Sequence, residues 1–397
     1  MPQNQSRPEK IVLLDGARTP IGSFGGALKD VPAHELGAAA SREALTRAGV
    51  EPAQIDEVVM GCIGQVGPDA YNARRVALAA GLPDAVPAYT VNRLCGSGLQ
   101  AIWSAAMQMR WGGVDFALAG GDESMSRMPF YDFGARSGYR LGDRKLVDGT
   151  VGMLTDPFND IHMGVTAENV ATKYGVSRAE QDEFAVESQR RAATAEARAA
   201  FAEEIVAVTT GGRRPVTVDS DEHPKPETTV ETLAKLRAAF VPDGTVTAGN
   251  ASGINDGAGA VVLARGSVAA EHGLTGIATV EAVATAAMEP ELMGYAPVRA
   301  LKNLFAQTGL TPADVDVVEL NEAFASQAVA VIRDAGLDPA KTNPYGGAIA
   351  LGHPVGATGA ILTLRVAKDL VRRDLEFGVV TMCIGGGQAL AALIKRA

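Results

Sequence analysis

One order of elements occurs twice in this 397-residue chain, and a repeated order constrains the fold more than any single segment does. Glu51-Pro52-Ala53-Gln54-Ile55-Asp56 runs into Val58-Val59-Met60-Gly61, just as Thr311-Pro312-Ala313-Asp314-Val315-Asp316 runs into Val317-Val318-Glu319-Leu320-Asn321. Leu94-Cys95-Gly96-Ser97-Gly98 is matched by the glycine-rich stretch that begins at Gly352-His353-Pro354, and residues 117–121 are matched by residues 379–387. Three landmarks in the same order, about 260 residues apart, are accounted for more simply by an internal duplication than by chance likeness among glycine turns.

Within each copy, strands alternate with helices. In the first, the pattern predicts strands at residues 11–14, 55–61 and 115–121, the last stopping at Gly120-Gly121, with helices at residues 33–48 and 73–80 and another after Cys95. That alternation predicts open α/β sheets. Residues 122–250 break it with scattered Gly, Arg and Asp, one long polar helix pattern over 178–204 and two turn-rich stretches, so they are expected to form an inserted loop domain over the site. The predicted division is 1–121 with 251–274 as the first half, 122–250 as the insertion and 275–397 as the second half. Two related halves would face equivalent loop ends, setting Cys95 opposite His353 and Cys383 across one cleft at strand ends, where such folds bind ligands.

The formal net charge of −10 argues against nucleic acid or an anionic membrane as the main partner. No run of 18 apolar residues suggests a membrane span, and the polar stretch Met1 to Lys10 lacks the apolar core of a secretory signal. Three cysteines without a CxxC pair make neither a disulfide framework nor a zinc site, which fits a reducing cytoplasmic compartment.

Cys95 sits in a glycine-flanked turn just before an apolar-periodic helix. There the helix N-terminus should favour a thiolate and pull its pKa below the usual value; the alternative is a buried structural cysteine. A nucleophilic thiol needs an imidazole to take its proton, and among five histidines only His353 lies in a glycine-dense loop opening a helix. His34, His223 and His272 are expected at the solvated surface. Cys383 ends a strand before Ile384-Gly385-Gly386-Gly387, where a second thiol could move a second proton and the backbone N–H groups, with that of Cys95, could hold an oxyanion; a passive core thiol is the alternative. Asn321 could donate to a water or an oxyanion, or simply cap a helix expected at residues 323–332. Glu322, which would repel a thiolate, is expected to orient other groups.

Taken together, Val91-Asn92-Arg93-Leu94-Cys95-Gly96-Ser97-Gly98, Asn321-Glu322-Ala323-Phe324-Ala325, Gly346 through Gly352-His353-Pro354 and Cys383-Ile384-Gly385-Gly386-Gly387 resemble the motifs of the thiolases. Asp15 to Pro20, His162 to Val170 and Ala248 to Gly257 extend the resemblance over essentially the whole chain. It implies a thiolase-like α/β fold: two duplicated mixed-sheet halves stacked in five layers with an inserted loop domain, assembled as a homodimer or homotetramer. It further implies reversible Claisen condensation of two acetyl-CoA to acetoacetyl-CoA and CoA, or thiolysis of short-chain 3-ketoacyl-CoA. Cys95 would be acylated, His353 would activate it, Cys383 would exchange the α-proton, Asn321 would hold a water and Gly385 would help to form an oxyanion hole. His162, Met163, Ser252, Ala248, Ala323 and Phe324 are carried over as substrate or coenzyme A contacts, and Met293 as a wall of the acyl pocket. Coenzyme A and acyl-CoA thioesters enter as substrates, with no metal and no permanently bound cofactor; basic residues between Arg213 and Arg237 are candidates for the nucleotide phosphates.

Four other readings compete with this one. A broader-chain 3-ketoacyl-CoA thiolase of fatty-acid β-oxidation shares every motif. A non-catalytic acyl-CoA-binding scaffold should lack a reactive group, and none is missing. A decarboxylating ketoacyl synthase would carry a histidine in place of Cys383. A dinucleotide-binding dehydrogenase is disfavoured because no GxGxxG follows the first strand.

Overall fold

The computed structural model describes residues 9–397, so most of the polar Met1 to Lys10 stretch lies outside the described residues. The first half contributes β1 (Ile11–Arg18), α1 (Ala33–Ala48), β2 (Glu57–Gly61), α2 (Asn72–Ala79), β3 (Ala88–Val91), α3 (Ser97–Trp111) and β4 (Phe116–Ser124). The insertion carries α4 (Met163–Tyr174), α5 (Arg178–Ala192) and α6 (Ala195–Glu204), and β5 (Asn255–Arg265) returns the chain to the first half. The second half follows as β6 (Ala278–Ala287), α7 (Ala296–Thr308), β7 (Val317–Leu320), α8 (Ala325–Asp334), α9 (Thr358–Arg372), β8 (Phe377–Ile384) and β9 (Gln388–Arg396).

The nine strands run in the order β7-β8-β9-β6-β1-β5-β4-β2-β3, with Gly22–Ser23 added beside β5. Where the halves meet, β6 and β1 pair only through Val12–Thr279 and Leu13–Ala278, so this join is a short seam between two subsheets. Their internal plans match. β2–β4 and β7–β8 are parallel, whereas β4–β5 and β8–β9 are antiparallel. Even a side-chain detail is repeated: Asp56 accepts the N–H groups of Asp115 and Phe116, and Asp316 accepts those of Glu376 and Phe377, all at 2.8–3.0 Å. The copies diverge at one edge, where β3 is matched only by a single parallel bridge between Val318 and Thr342.

Three apolar clusters define the layers. One lies outside the first subsheet under α1 and α2, with Leu36, Val58, Val76 and Leu118. Another lies outside the second subsheet, where Leu301, Leu304 and Val331 of α7 and α8 meet Leu320 and Leu393. Between the sheets, α3 and α9 share a core of Leu99, Ile102, Met109, Leu364, Leu370, Met382 and Ile394. These two helices approach closely because small residues face each other: a Cβ on Gly98 would stand 2.7 Å from the Ala360 nitrogen, and one on Gly359 only 2.3 Å from that of Leu99. The contact is at the first turn of both helices, so it brings the Cys95 turn beside the loop that carries His353.

Three sequence expectations need correcting. The strand expected to stop at Gly120-Gly121 continues to Ser124. Those glycines serve packing rather than termination, since a Cβ there would come within 2.3 Å of the Gly259 oxygen or 2.1 Å of the Gly356 oxygen. The polar pattern over 178–204 is two helices, because the Thr194 hydroxyl accepts the Ala197 N–H and starts a new helix. His34 is buried, not solvated; as the second residue of α1 it lies inward, and burial lowers its pKa.

The insertion is tied to the first half by charge. Arg18, fully buried, pairs with Glu204 of α6 at 2.7 Å and with Asp221 at 2.7 Å, and Arg365 of α9 reaches the same Glu204 at 3.2 Å. Among the described residues no helix is long and apolar enough to cross a membrane.

Candidate active site

The Cys95 turn is pinned by its polar neighbours. Leu94 takes a left-handed conformation, φ 48°, unusual for a bulky side chain, while Asn92 accepts its N–H at 3.0 Å. Ser97 accepts the Arg93 N–H at 2.9 Å and donates to the Leu94 carbonyl at 2.6 Å. Gly96 lets the turn lie against β8, since a Cβ there would be 2.5 Å from Ile384. Part of the Cys95 residue is open to solvent, but its sulfur lies deep among protein atoms.

Burial pushes the Cys95 thiol up to about 11, against the opposing pull of the backbone N–H groups of Gly385 and of Cys95 itself. The expected lowering at a helix start is therefore outweighed: desolvating a thiolate costs more than these donors return.

His353 is held at both ring nitrogens. Its Nδ1 is 2.7 Å from the Thr358 hydroxyl, and that hydroxyl donates its only proton to the Pro354 carbonyl at 3.0 Å. Thr358 must therefore accept from Nδ1–H, which leaves the lone pair on Nε2. Nε2 lies 3.3 Å from the Asn321 amide nitrogen, a donor that suits this tautomer. Burial lowers the His353 pKa to about 4, so the resting pair is a neutral thiol and a neutral imidazole rather than an ion pair.

These values set a pH dependence. In the free enzyme His353 stays neutral through the neutral range, and the Cys95 thiolate fraction grows until the pH nears 11. Alkylation of Cys95 by iodoacetamide should therefore climb by about tenfold per pH unit between pH 7 and pH 10. A plateau at or below pH 8.5 would contradict it.

Cys383 stands near the end of β8, 1% exposed. Burial is the main force raising its pKa, and charge on Cys95 adds to it, so the two sulfurs are near enough to interact. Beyond it Gly385-Gly386-Gly387 turns the chain into β9, with φ +77° and +79° at Gly386 and Gly387, values that favour glycine. Gly385 is packed against the Cys95 side of the site, where a Cβ would meet Leu94 at 3.0 Å and the Met163 sulfur at 3.8 Å. Cys383 belongs to a small apolar cluster with Ala167, Val246, Ala251, Met293, Ala323 and Phe324, against which Met163 and Phe240 pack. One wall of the site is thus mostly hydrocarbon and methionine sulfur.

The insertion supplies much of that wall. His162 caps α4, its Nδ1 accepting the Gly164 N–H at 3.0 Å, and its ring stacks on Phe240 at 4.9 Å, which in turn meets Phe324 edge-on at 6.2 Å. Residues 248–252 run beside the segment after β7: Ser252 donates its N–H to Ala323 at 3.0 Å, and Ala325 donates to Asn250 at 2.9 Å. Ala248 is exposed and Ser252 half-buried on this strip.

Asn321 is not a helix cap, because α8 begins at Ala325; it turns to His353 instead. Its Oδ1, buried, has no hydrogen-bond partner among the described residues. Glu322 points away from the sulfurs and is consumed by structure, accepting from Ser188 and Asn343, both at 2.7 Å, and from the Ile349 N–H at 3.2 Å. Of the sequence-predicted groups, Gly385 and Cys383 interact with Cys95 and Asn321 with His353, whose loop packs against the helix that follows the Cys95 turn; Met163, Met293, Ala323 and Phe324 surround Cys383, and His162, Ala248 and Ser252 stand on the adjoining strip. Sequence reasoning missed Thr358 and Phe240. Thr358 had a readable signal, a hydroxyl five residues after a loop histidine; Phe240 had none.

Family models described as the thiolase N-terminal domain and the thiolase C-terminal domain match residues 11–267 and 274–396. The beta-ketothiolase BktB of Cupriavidus necator is 50% identical over 390 residues, covering 98% of this chain and 99% of that protein. The crystal structure of the Bacillus anthracis acetyl-CoA acetyltransferase superposes with a TM-score of 0.96 at 42% identity, covering 98% of this chain and 99% of that one. Human mitochondrial 3-ketoacyl-CoA thiolase in complex with CoA superposes at 0.94 with 41% identity, covering 98% of each chain.

Proposed function

The chain belongs to the thiolase family, and from that premise we propose that it joins two acetyl-CoA into acetoacetyl-CoA and CoA, and runs the reverse thiolysis, through an acyl-Cys95 intermediate. What supports this reading is the Cys95 thiol beside the Gly385 N–H and the Cys383 thiol, with an imidazole whose Nε2 lone pair faces the Asn321 amide carried on the loop packed against the same helix start.

Each proton can be followed. His353 Nε2 takes the Cys95 proton as the sulfur attacks the thioester carbonyl, and the N–H groups of Cys95 and Gly385 hold the oxyanion. The carbon–sulfur bond to CoA breaks, and the departing CoA thiolate takes the Cys383 proton. The Cys383 thiolate then removes an α-proton from a second acetyl-CoA. The resulting enolate oxygen lies against the His353 imidazolium and Asn321, and its carbon attacks the acyl-Cys95 carbonyl. As the carbon–carbon bond forms, the Cys95 sulfur leaves and regains its proton from His353, restoring the starting state. The elevated pKa of Cys383 suits this exchange, because a strongly basic thiolate is needed to take a proton next to a thioester.

Residues 122–250 are assigned to holding coenzyme A and to assembly. His162, Met163, Ala248 and Ser252 line the approach to the sulfurs, and Lys235 and Arg237 lie exposed on the segment leading to Phe240. A homodimer or homotetramer is supported by apolar side chains left open on the insertion, notably Phe133 at 81% and Leu141 at 100% exposure. A cytoplasmic location and the absence of any permanently bound cofactor complete the reading.

Short acyl chains are favoured because Met163, Met293 and Phe324 crowd the space beside Cys383. The test is CoA-dependent loss of the magnesium-enolate absorbance of 3-ketoacyl-CoAs of increasing length. Acetoacetyl-CoA is expected to be cleaved with kcat/KM at least about tenfold above that for 3-ketooctanoyl-CoA, about 1.4 kcal/mol of discrimination. A preference for the longer substrate would instead support the fatty-acid-oxidation reading, and cleavage of neither would remove the thiolase assignment.

A further inference from the structure

The catalytic loop of the second half is gripped by the first. The His353 N–H donates to Asn255 Oδ1 at 2.9 Å, and three residues on the Gly356 N–H donates to Glu123 Oε2 at 3.0 Å. Both acceptors stand on neighbouring strands of the first subsheet, Glu123 near the end of β4 and Asn255 at the start of β5. Each is itself anchored. Asn255 donates to the Gly22 carbonyl at 3.0 Å, and Glu123 accepts the N–H groups of Ile63 and Gly64 at 3.0 and 2.8 Å. Both side chains are buried.

Duplication makes Glu123 conspicuous. With Phe116 answering Phe377, the position that answers Cys383 is Asp122, and Glu123 answers Ile384. One copy of the strand end carries the thiol; the other carries, one residue on, a carboxylate that accepts backbone N–H groups from both halves and the Cys62 thiol at 3.8 Å.

Resting on the thiolase reading above, we propose that Glu123, together with Asn255, is a positioning residue for His353: a cross-half clamp that fixes the 353–356 backbone, and so the distance from Nε2 to the Cys95 sulfur. The carboxylate is required rather than an amide. Oε1 accepts from Gly64 while Oε2 accepts from Ile63 and Gly356, and glutamine has one oxygen for those two sides, so at least one buried N–H would face an NH2 group. A slight shift of the loop would misplace the imidazole without touching the coenzyme A strip, and displacements near 1 Å can cost about 100-fold in rate. The Glu123 charge also reaches the Cys95 sulfur and helps raise its pKa, so the clamp and the nucleophile are electrostatic neighbours as well.

The experiment measures acetyl transfer to Cys95 from acetyl-CoA in the full-length enzyme, in wild-type and His353→Ala backgrounds. Glu123→Gln is expected to lower the acylation rate by about 10- to 100-fold with KM for acetyl-CoA unchanged within about twofold, and to add no further loss once His353 is already alanine. A purely structural role would reduce the residual rate of the His353→Ala enzyme as well, and that additive loss would overturn the proposal. So would a Glu123→Gln enzyme with the wild-type rate. Should Glu123→Gln not fold, Asn255→Ala puts the same question through the other arm of the clamp, with the same expected kcat loss, the same steady KM and the same disappearance in the His353→Ala background. A wild-type enzyme that never acylates would count against the thiolase reading itself; a wild-type enzyme that acylates beside an unimpaired variant would count against the clamp alone.

Discussion

Cys95→Ala is expected to abolish turnover, with kcat for acetoacetyl-CoA thiolysis falling by at least about 10⁴-fold and no acyl-protein forming. The size of the loss follows from the route. Without the sulfur there is no covalent intermediate, and the remaining donors, Gly385 N–H and the residue 95 N–H, can bind a carbonyl but cannot receive an acyl group. Folding should survive, because the side chain is small and is replaced by a smaller apolar one; a circular-dichroism melt within a few degrees of wild type is the control. Stopped-assay activity above about 1% of wild type would mean that another group carries the acyl chain.

Cys383→Ala is expected to separate the two halves of the reaction. Acetyl-CoA should still acylate Cys95, while carbon–carbon bond formation and exchange of the acetyl-CoA methyl protons with deuterated water fall by at least about 10³-fold. The separation rests on geometry: His353 is tied by Thr358 on one nitrogen and faces Asn321 on the other, whereas Cys383 lies in the apolar cluster with Met293 and Phe324, where a second thioester's methyl carbon would sit. Because Cys383 also supplies the proton to the departing CoA, acylation should slow, by about 10-fold, without stopping. Methyl exchange at the wild-type rate would pass the α-proton to a different base.

The sequence carried the large-scale plan because duplication and alternation are one-dimensional signals. The Pro-Ala turns before β2 and β7, the matching Asp56 and Asp316, and the glycines at the foot of α3 and α9 all stand at corresponding places in the chain. The candidate reactive groups stand out for a related reason: Cys95 and His353 lie in glycine-dense turns, and Cys383 lies at a strand end just before another. What stayed hidden depends on depth. The Cys95 pKa was misjudged in sign, since a helix start can be seen in a sequence but the burial that outweighs it cannot. His34 reads as a surface residue because it stands in or beside a polar helix or loop stretch, yet it lies on the inward side of α1. The continuation of β4 past Gly120-Gly121 was obscured because glycine marks both chain ends and close packing, and only the approach of the Gly259 and Gly356 carbonyls distinguishes the two. Thr358, Asn255 and Glu123 act on His353 from 5, 98 and 230 residues away, the first two by direct hydrogen bonds, and no local pattern ties the distant pair to it.

The central claim is that Cys95, working as one unit with His353, is the atom that carries the acyl group while Cys383 does not. Intact-protein mass spectrometry after brief mixing with acetyl-CoA, followed by peptide mapping, addresses it directly. The account predicts one acetyl group, on Cys95, in wild type and in Cys383→Ala, and none in Cys95→Ala. An acetyl group found on Cys383, or a wild-type protein that turns over substrate without ever gaining mass, would contradict it.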